Sequence, residues 1–411
     1  MTSPFLIVVF LVVSSATCVN ITLITDENRR YTGSGAMMGG WGEALRAPML
    51  APDRSLWMVV DAGRDVVHNS ALHYYQRPHG ARDWALAASC PIPDRVQQNM
   101  GSIMRGGVIY SYGVNVDHNY VEECALTMAS FAFRCSEVVA TPPSSNYIGV
   151  AAGLDKSTRL VMWTTVGDDG ADGRFAYTAN YGDGWNGPFS FAAPFGATDV
   201  SYVRTDFVSS DAATLLAQGT VGVKPWRFRT FAMSLDLATS SFANITELRS
   251  ANPTVSGSAP EDIIVDAYGG AHAVSHQTRG GGGVAYHYRR PKGAWNATPA
   301  SVIADAYRAR FFATDGCLHL AVGRTNAPLE VRSVRVAALS AGVPVDWGGV
   351  DVSVTPVNAT GFETVSAIYV PREAYGGGGD DRALSTTTIT AAGSYPEEDM
   401  NIWAFDMALV C

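Results

Sequence analysis

The side chains able to do chemistry are scattered along this chain instead of being gathered into one catalytic string. Neither GxSxG nor HExxH occurs, which removes the commonest serine-hydrolase and zincin signatures. In GDDGADG, Asp168, Asp169 and Asp172 lie close together. Their spacing lacks the alternating oxygen ligands of a calcium loop and reads as a solvated hairpin turn. His272 in GGAH and His319 in GCLH each follow an aspartate, Asp266 and Asp315, by a few residues. That shared placement reads as a recurring inner-strand residue and not as a metal ligand. The glycine runs 280–283 and 376–379 lack the Lys-Ser/Thr and the following helix of a phosphate loop, so they read as flexible loops. No metal or cofactor is expected. Trp41, Tyr74, Tyr75, Tyr181 and Tyr288 have faces that can stack on sugar rings, although core packing is the commoner use of an aromatic at a strand position.

The six cysteines, at 18, 90, 124, 135, 317 and 411, are too dispersed for a miniprotein framework and form no zinc-like cluster. Cys124 and Cys135 bound the segment CALTMASFAFRC, which can turn back as a hairpin and place the two thiols within disulfide reach. A second bridge is expected between Cys18 and Cys411. The apolar run Phe5–Val13 is too short to span a bilayer and is followed by Ser14, Ser15 and Ala16. It reads as a signal peptide, 1–16, leaving 17–411 as the mature chain, with no membrane span. Asn-x-Ser/Thr sequons at Asn20, Asn244, Asn296 and Asn358 fit passage through a secretory pathway and an extracellular destination. A net charge of −9 without a long basic run argues against a nucleic-acid partner.

What must position these residues is a repeat. Trp84, Phe133, Trp185, Phe242, Trp295, Trp347 and Trp403 recur at intervals of about fifty residues. Asp53, Asp155, Asp266 and Asp315 each precede one of the tryptophans by about thirty residues. Between these landmarks lie short apolar runs such as LWMVV, ALHYY, RLVMW and VAYHY, separated by Gly, Asp and Pro turns. Helical periodicity is scarce after the signal peptide. The chain therefore predicts an all-β fold, a single β-propeller domain over 17–411, seven-bladed, with a six-bladed ring carrying one inserted sheet as the alternative. The blades fall roughly at 43–90, 97–140, 146–195, 197–248, 260–305, 307–355 and 362–411. The last unit shows one strand too few, and the alternating run Val19–Ile24 supplies it, closing the ring.

The tract TANYGDGW resembles the Asp-box of sialidase-like propellers, with Thr178, Asn180, Gly182 and Trp185 in the defining places. That pattern makes a tight turn anchored by tryptophan and speaks for fold, not for catalysis. The stretch Leu45–Arg64 resembles the opening of sialidases, with Arg46 and Arg64 in the places of two substrate-clamping arginines and Asp65 nearest the acid catalyst. The family's third arginine and Tyr/Glu nucleophilic pair have no motif-matched counterpart. The resemblance thus implies a secreted sialidase-like glycoprotein that binds glycans or glycoproteins without turnover. An exo-acting glycosidase or polysaccharide lyase is one alternative, and a structural surface or coat glycoprotein the other.

Overall fold

The protein is described here by a computed structural model covering residues 48–354, apart from short interruptions (chiefly 93–99, 154–157, 166–172, 222–226, 252–257 and 340–342), with the segments 20–25, 364–369, 387–394 and 400–407 beyond them. The described strands form seven four-stranded antiparallel sheets. Sheet 7 takes its outermost strand from the other end of the chain, β1 (Asn20–Thr25). Sheet 1 holds β2 (Met49–Leu50), β3 (Leu56–Asp65), β4 (His68–Arg77) and β5 (Ala85–Pro91). Sheet 2 holds β6 (Gly101–Arg105), β7 (Val108–Asn115), β8 (Tyr120–Thr127) and β9 (Ala132–Ala140). In sheet 3 are β10 (Ser145–Ala152), β11 (Arg159–Thr165), β12 (Arg174–Asn180) and β13 (Trp185–Ala192). Sheet 4 comprises β14 (Asp199–Ser209), β15 (Ala212–Val221), β16 (Arg227–Asp236) and β17 (Ser241–Ala251). Sheet 5 comprises β18 (Ser258–Val265), β19 (Ala271–Arg279), β20 (Gly282–Arg290) and β21 (Ser301–Ala304). In sheet 6 are β22 (Arg308–Thr314), β23 (Cys317–Gly323), β24 (Leu329–Arg335) and β25 (Val352–Val354). The remaining strands of sheet 7 are β26 (Thr364–Tyr369), β27 (Thr387–Ser394) and β28 (Met400–Met407).

The first strands of successive sheets touch: β6 meets β10, β10 meets β14, β14 meets β18, β18 meets β22, and β22 meets β26. They are the innermost strands of a β-propeller. A hydrophobic cluster straddles each junction from sheets 1 and 2 through sheets 5 and 6. Because both faces of a sheet meet a neighbour, strands read as nearly continuous apolar runs instead of alternating ones. In β15, Ala213, Leu215 and Ala217 pack toward sheet 3 while Leu216 packs toward sheet 5. Sheet 7 is joined to sheet 1 by an ion pair, Arg77 to Asp406 at 2.5 Å.

β1 pairs antiparallel with β28, as the missing-strand reading of the last unit expects. This also explains the one landmark that departs from the rhythm. Trp84, Phe133, Trp185, Phe242, Trp295 and Trp347 stand in or just before the fourth strands of their sheets, whereas Trp403 lies in β28, the third strand of its sheet. The landmark aspartates that are described hold the turn between first and second strands. Asp53 accepts from the Ser55 amide at 2.9 Å, and Asp266 from those of Tyr268 and Gly270 at 2.8 Å.

Cys124 and Cys135 face each other across β8 and β9 and are disulfide-bonded, while Cys90 is a buried free thiol. Cys317 is disulfide-bonded as well. Cys18 and Cys411 lie outside the described residues. No described helix is long and apolar enough to cross a membrane.

Candidate functional site at the propeller axis

Antiparallel order puts the starts of the innermost strands and the hairpins between second and third strands at one end of the barrel-like ring. At that end, in sheets 4 to 6, charged residues enter otherwise apolar strands. Arg204 comes from β14, Glu261 from β18, His276 from β19, and Arg308 and Arg310 from β22. Arg308 Nη1 lies 2.9 Å from Glu261 Oε1 and Arg310 Nη1 lies 2.9 Å from Oε2. Arg310 also donates to the Glu261 carbonyl, which accepts from Arg204 Nε at 3.3 Å as well. His276 Nδ1 is 3.9 Å from Oε1. All are buried except Arg308, whose side chain keeps 12% of its surface. At Gly283, beside the cluster, a Cβ would run into the Ala306 carbonyl and lie 2.8 Å from His276 Nε2, so the backbone there requires glycine.

Burial disfavours the Glu261 carboxylate, but Arg308, Arg310, His276 and Arg204 outweigh it and the group titrates below its ordinary range. Burial likewise drives His276 toward its neutral form, opposed by Glu261 and assisted by Arg308. Glu261 is therefore an ionised strut for the arginines and not a proton donor. The neighbouring carboxylates serve the ring itself. Asp206 Oδ2 accepts the Val265 amide and Asp262 Oδ2 the Phe311 amide, each at 2.8 Å, so each ties its innermost strand to the next. Three guanidiniums are thus drawn together at Glu261, Arg308 and Arg310 on its carboxylate and Arg204 on its carbonyl.

The expected clamp is only partly described. Arg46 lies outside the described residues; Arg64 and Asp65 sit at the end of β3, at the same face as the axial cluster, and their side chains are likewise outside the description. A Tyr/Glu pair does exist where motif reading placed none. Tyr112 donates to Glu123 Oε2 at 2.8 Å, and Arg159 Nη1 meets the same oxygen at 2.7 Å. It is buried between sheets 2 and 3, not at the axis. Burial, with Glu123 adding to it, holds the Tyr112 phenol well above its ordinary range. Trp185 packs edge-on against Tyr112 and under Arg159, Thr178 Oγ1 donates to the Asn186 carbonyl, and Asn180 Oδ1 accepts the Gly182 amide. Thr178, Asn180, Gly182 and Trp185 are thus engaged in turn formation and packing between sheets.

The histidines singled out by their repeat placement lie on second strands, β19 and β23, inside their sheets. His272 belongs to a buried chain in which Asp266 Oδ2 meets His272 Nε2 at 2.9 Å, His272 Nδ1 meets His287 Nε2 at 3.0 Å and His287 Nδ1 meets Ser301 Oγ at 3.2 Å. Trp347 Nε1 donates to the same hydroxyl at 2.8 Å. With Asp266 accepting from His272 Nε2, the chain can run through two neutral rings, and burial lowers the pKa of both imidazoles. The chain fastens Trp347 of sheet 6 to sheet 5. His319 Nδ1 bonds Ser333 Oγ at 2.6 Å in the same manner within sheet 6. Tyr74, Tyr75 and Tyr288 are buried and present no face to a sugar, whereas Tyr181 is exposed. Trp41, Asp168, Asp169, Asp172, Gly280, Gly281 and the glycine run 376–379 lie outside the described residues. Asn244 and Asn296 are exposed, and Asn358 is outside the description. Among the described residues, the one group with metal-ligand spacing is Glu122 with Cys124 and Cys135, whose thiols are consumed by their disulfide.

The axial cluster went unnoticed in the sequence, where its signal was faint: Arg204 within SYVRTDFV, Glu261 within PEDIIV and Arg310 within RARFF interrupt apolar innermost strands at one level.

No protein-family model and no curated protein matches the chain. Solved structures do. A polysaccharide lyase, Uly1, aligns over 95% of this chain and 99% of its own, with a TM-score of 0.58 and 10% identity. An alpha-L-arabinanase from Penicillium chrysogenum aligns over 78% and 99%, with a TM-score of 0.48 and 10% identity. A sialidase from Trypanosoma rangeli, in complex with sialic acid, aligns over 87% of this chain and 59% of that one, with a TM-score of 0.49 and 10% identity. The likeness is one of fold. This chain shares its β-propeller architecture with the lyase.

Proposed function

We propose that this chain is a secreted glycoprotein that binds acidic glycans at the arginine-lined end of its axis. The observation that carries the reading is the convergence of Arg204, Arg308 and Arg310 on Glu261. Guanidinium forks suit carboxylates, and a propeller mouth gathers loops from every sheet around one point. Glu261, ionised and held by two arginines, supports binding over turnover because it has no proton to give. The signal peptide, the sequons and the Asp-box reading of Thr178–Trp185 belong to the same proposal. So does the inference that the seven sheets are the blades of one ring, with a six-bladed ring carrying an inserted sheet as the alternative.

A glycan array followed by calorimetry on the secreted protein tests it. Arg308→Ala should weaken binding of an acid sugar by tenfold or more in folded, secreted protein, since one charge-assisted hydrogen bond is worth about 1.5–3 kcal/mol, and should lower the thermal midpoint because buried Glu261 loses one of its two guanidiniums. Folded protein that binds no acidic glycan would refute the reading. The enzyme alternative draws on the stretch around Arg64 and Asp65. It predicts release of fluorophore from a sialoside or uronide, abolished in Asp65→Asn; binding without such release favours the non-catalytic reading.

A further inference from the structure

Sheet 6 carries arginines along the seam it makes with sheet 5. Arg308 and Arg310 lie on its innermost strand and reach Glu261 of sheet 5. Register sets Arg308 opposite Gly323, so Arg324 extends the end of the second strand at the same face. It also sets Arg310 level with Ala321 and Val331, the latter next to Arg332 on the third strand. Arg324 and Arg332 share one carboxylate, Glu330, at 3.2 and 3.1 Å, and their side chains keep 25% and 22% of their surface. Both line a groove of about 340 Å³ between the outer strand of sheet 5 and the segment around Trp347, with Ser301, Val302, Asp305 and Asp346 among its walls. Adjacent strands are about 4.8 Å apart, so the groove begins about 10 Å out from the axial strand, within the span of a short oligosaccharide.

We propose that this groove is a second, distal subsite, and that the seam between sheets 5 and 6 binds consecutive residues of an acidic oligosaccharide. The proposal rests on the axial anion site and extends it from one sugar to a chain. The walls also specify which acid. Arg324 and Arg332 face a carboxylate, with Glu330 holding the pair in place. Asp305 and Asp346 accept hydroxyls and repel closely spaced anionic groups. A uronate residue, with one carboxylate and free hydroxyls, satisfies both sides, whereas a multiply sulfated sugar meets two carboxylates. Val302, 59% exposed on the rim, supplies an apolar edge for a ring face.

The test is calorimetry of the full secreted chain against galacturonate monomer and hexamer and a heparin hexasaccharide, using wild type, Arg332→Ala, Val302→Glu and Arg308→Ala. The hexamer should bind at least tenfold tighter than the monomer in wild type. Arg332→Ala and Val302→Glu should each erase most of that gain and leave monomer affinity unchanged. Val302→Glu keeps both Arg332 and Glu330 in the chain, so a misfolded Arg332→Ala does not rescue the proposal. Arg308→Ala should weaken monomer and hexamer alike. Monomer binding without a length gain, or a gain that survives both groove variants, overturns the distal subsite while leaving the axial site standing. Absence of binding at every length overturns the axial site and the distal one with it. Tighter, Arg332-dependent binding of the heparin fragment than of the uronate hexamer overturns the assignment of ligand class.

Discussion

His319 makes the fold acid-sensitive by an amount that can be worked out. Its ring is fully buried on β23, stacked on Phe312 at a centroid distance of 4.8 Å and bonded through Nδ1 to Ser333 Oγ. Burial pushes its pKa down to about 4. In the unfolded chain the same imidazole titrates at about 6.5. Below that value the unfolded state takes up a proton that the native state refuses, so stability is full above it and falls as the pH drops toward the native pKa. Going from about pH 7.5 to about pH 5, His319 alone should remove about 2 kcal/mol. His272, His276 and His287 are also held below their ordinary range chiefly by burial, and they push the same way. The loss in the wild type should therefore exceed the contribution of His319.

Urea titrations at the two pH values measure the loss. His319→Gln keeps a polar group for Ser333 and cannot titrate; it lowers stability at neutral pH through loss of the ring's packing on Phe312. It should nonetheless lose about 2 kcal/mol less than wild type between the two pH values. Equal pH dependence in wild type and variant would refute the linkage and mean that the buried ring is protonated or solvated in the native protein.

Glu261→Gln should be among the most damaging single substitutions, costing about 3–5 kcal/mol, because the buried Arg310 and the partly exposed Arg308 both lose their carboxylate; a thermal midpoint close to wild type would contradict this. Asp266→Asn should cost about 1–3 kcal/mol and shift tryptophan emission by disturbing the tautomer chain that ends on Trp347, read by fluorescence and thermal melting. Cys90, whose thiol is pushed up by burial, should resist iodoacetamide in the native protein and react after unfolding, while Cys124 and Cys135 appear as one linked peptide until reduced. A glycosidase that removes N-glycans should shift the secreted protein on a gel, and the shift should shrink in Asn244→Gln and Asn296→Gln, both exposed positions.

What the sequence made legible is what repeats. An aromatic placed in or just before a fourth strand leaves a mark in six of the seven sheets, four times as tryptophan and twice as phenylalanine, and Asp53 and Asp266 recur where a first hairpin turn needs its amides held. Trp403 departs from the pattern for a physical reason visible in the same strings. The last unit is one strand short, so its aromatic falls on the third strand and β1 lies outside it.

The sites do not repeat, and that is why they were hard to read. Glu261 is given its meaning by Arg204 from the preceding sheet and by Arg308 and Arg310 from the next, and no single unit contains more than part of that set. His287 looks like any residue of an apolar strand until pairing and packing bring its two nitrogens to His272 and Ser301. Both faces of sheets 2 to 5 meet hydrophobic junctions, so a polar group there calls for a partner that satisfies it. In such a fold the informative polar residues are those that interrupt an apolar strand. Arg204, Glu261 and Arg310 interrupt three consecutive innermost strands at one end. A search for charges that break the apolar runs at matched levels, rather than for contiguous motifs, is the reading that would have found the axial cluster from the sequence.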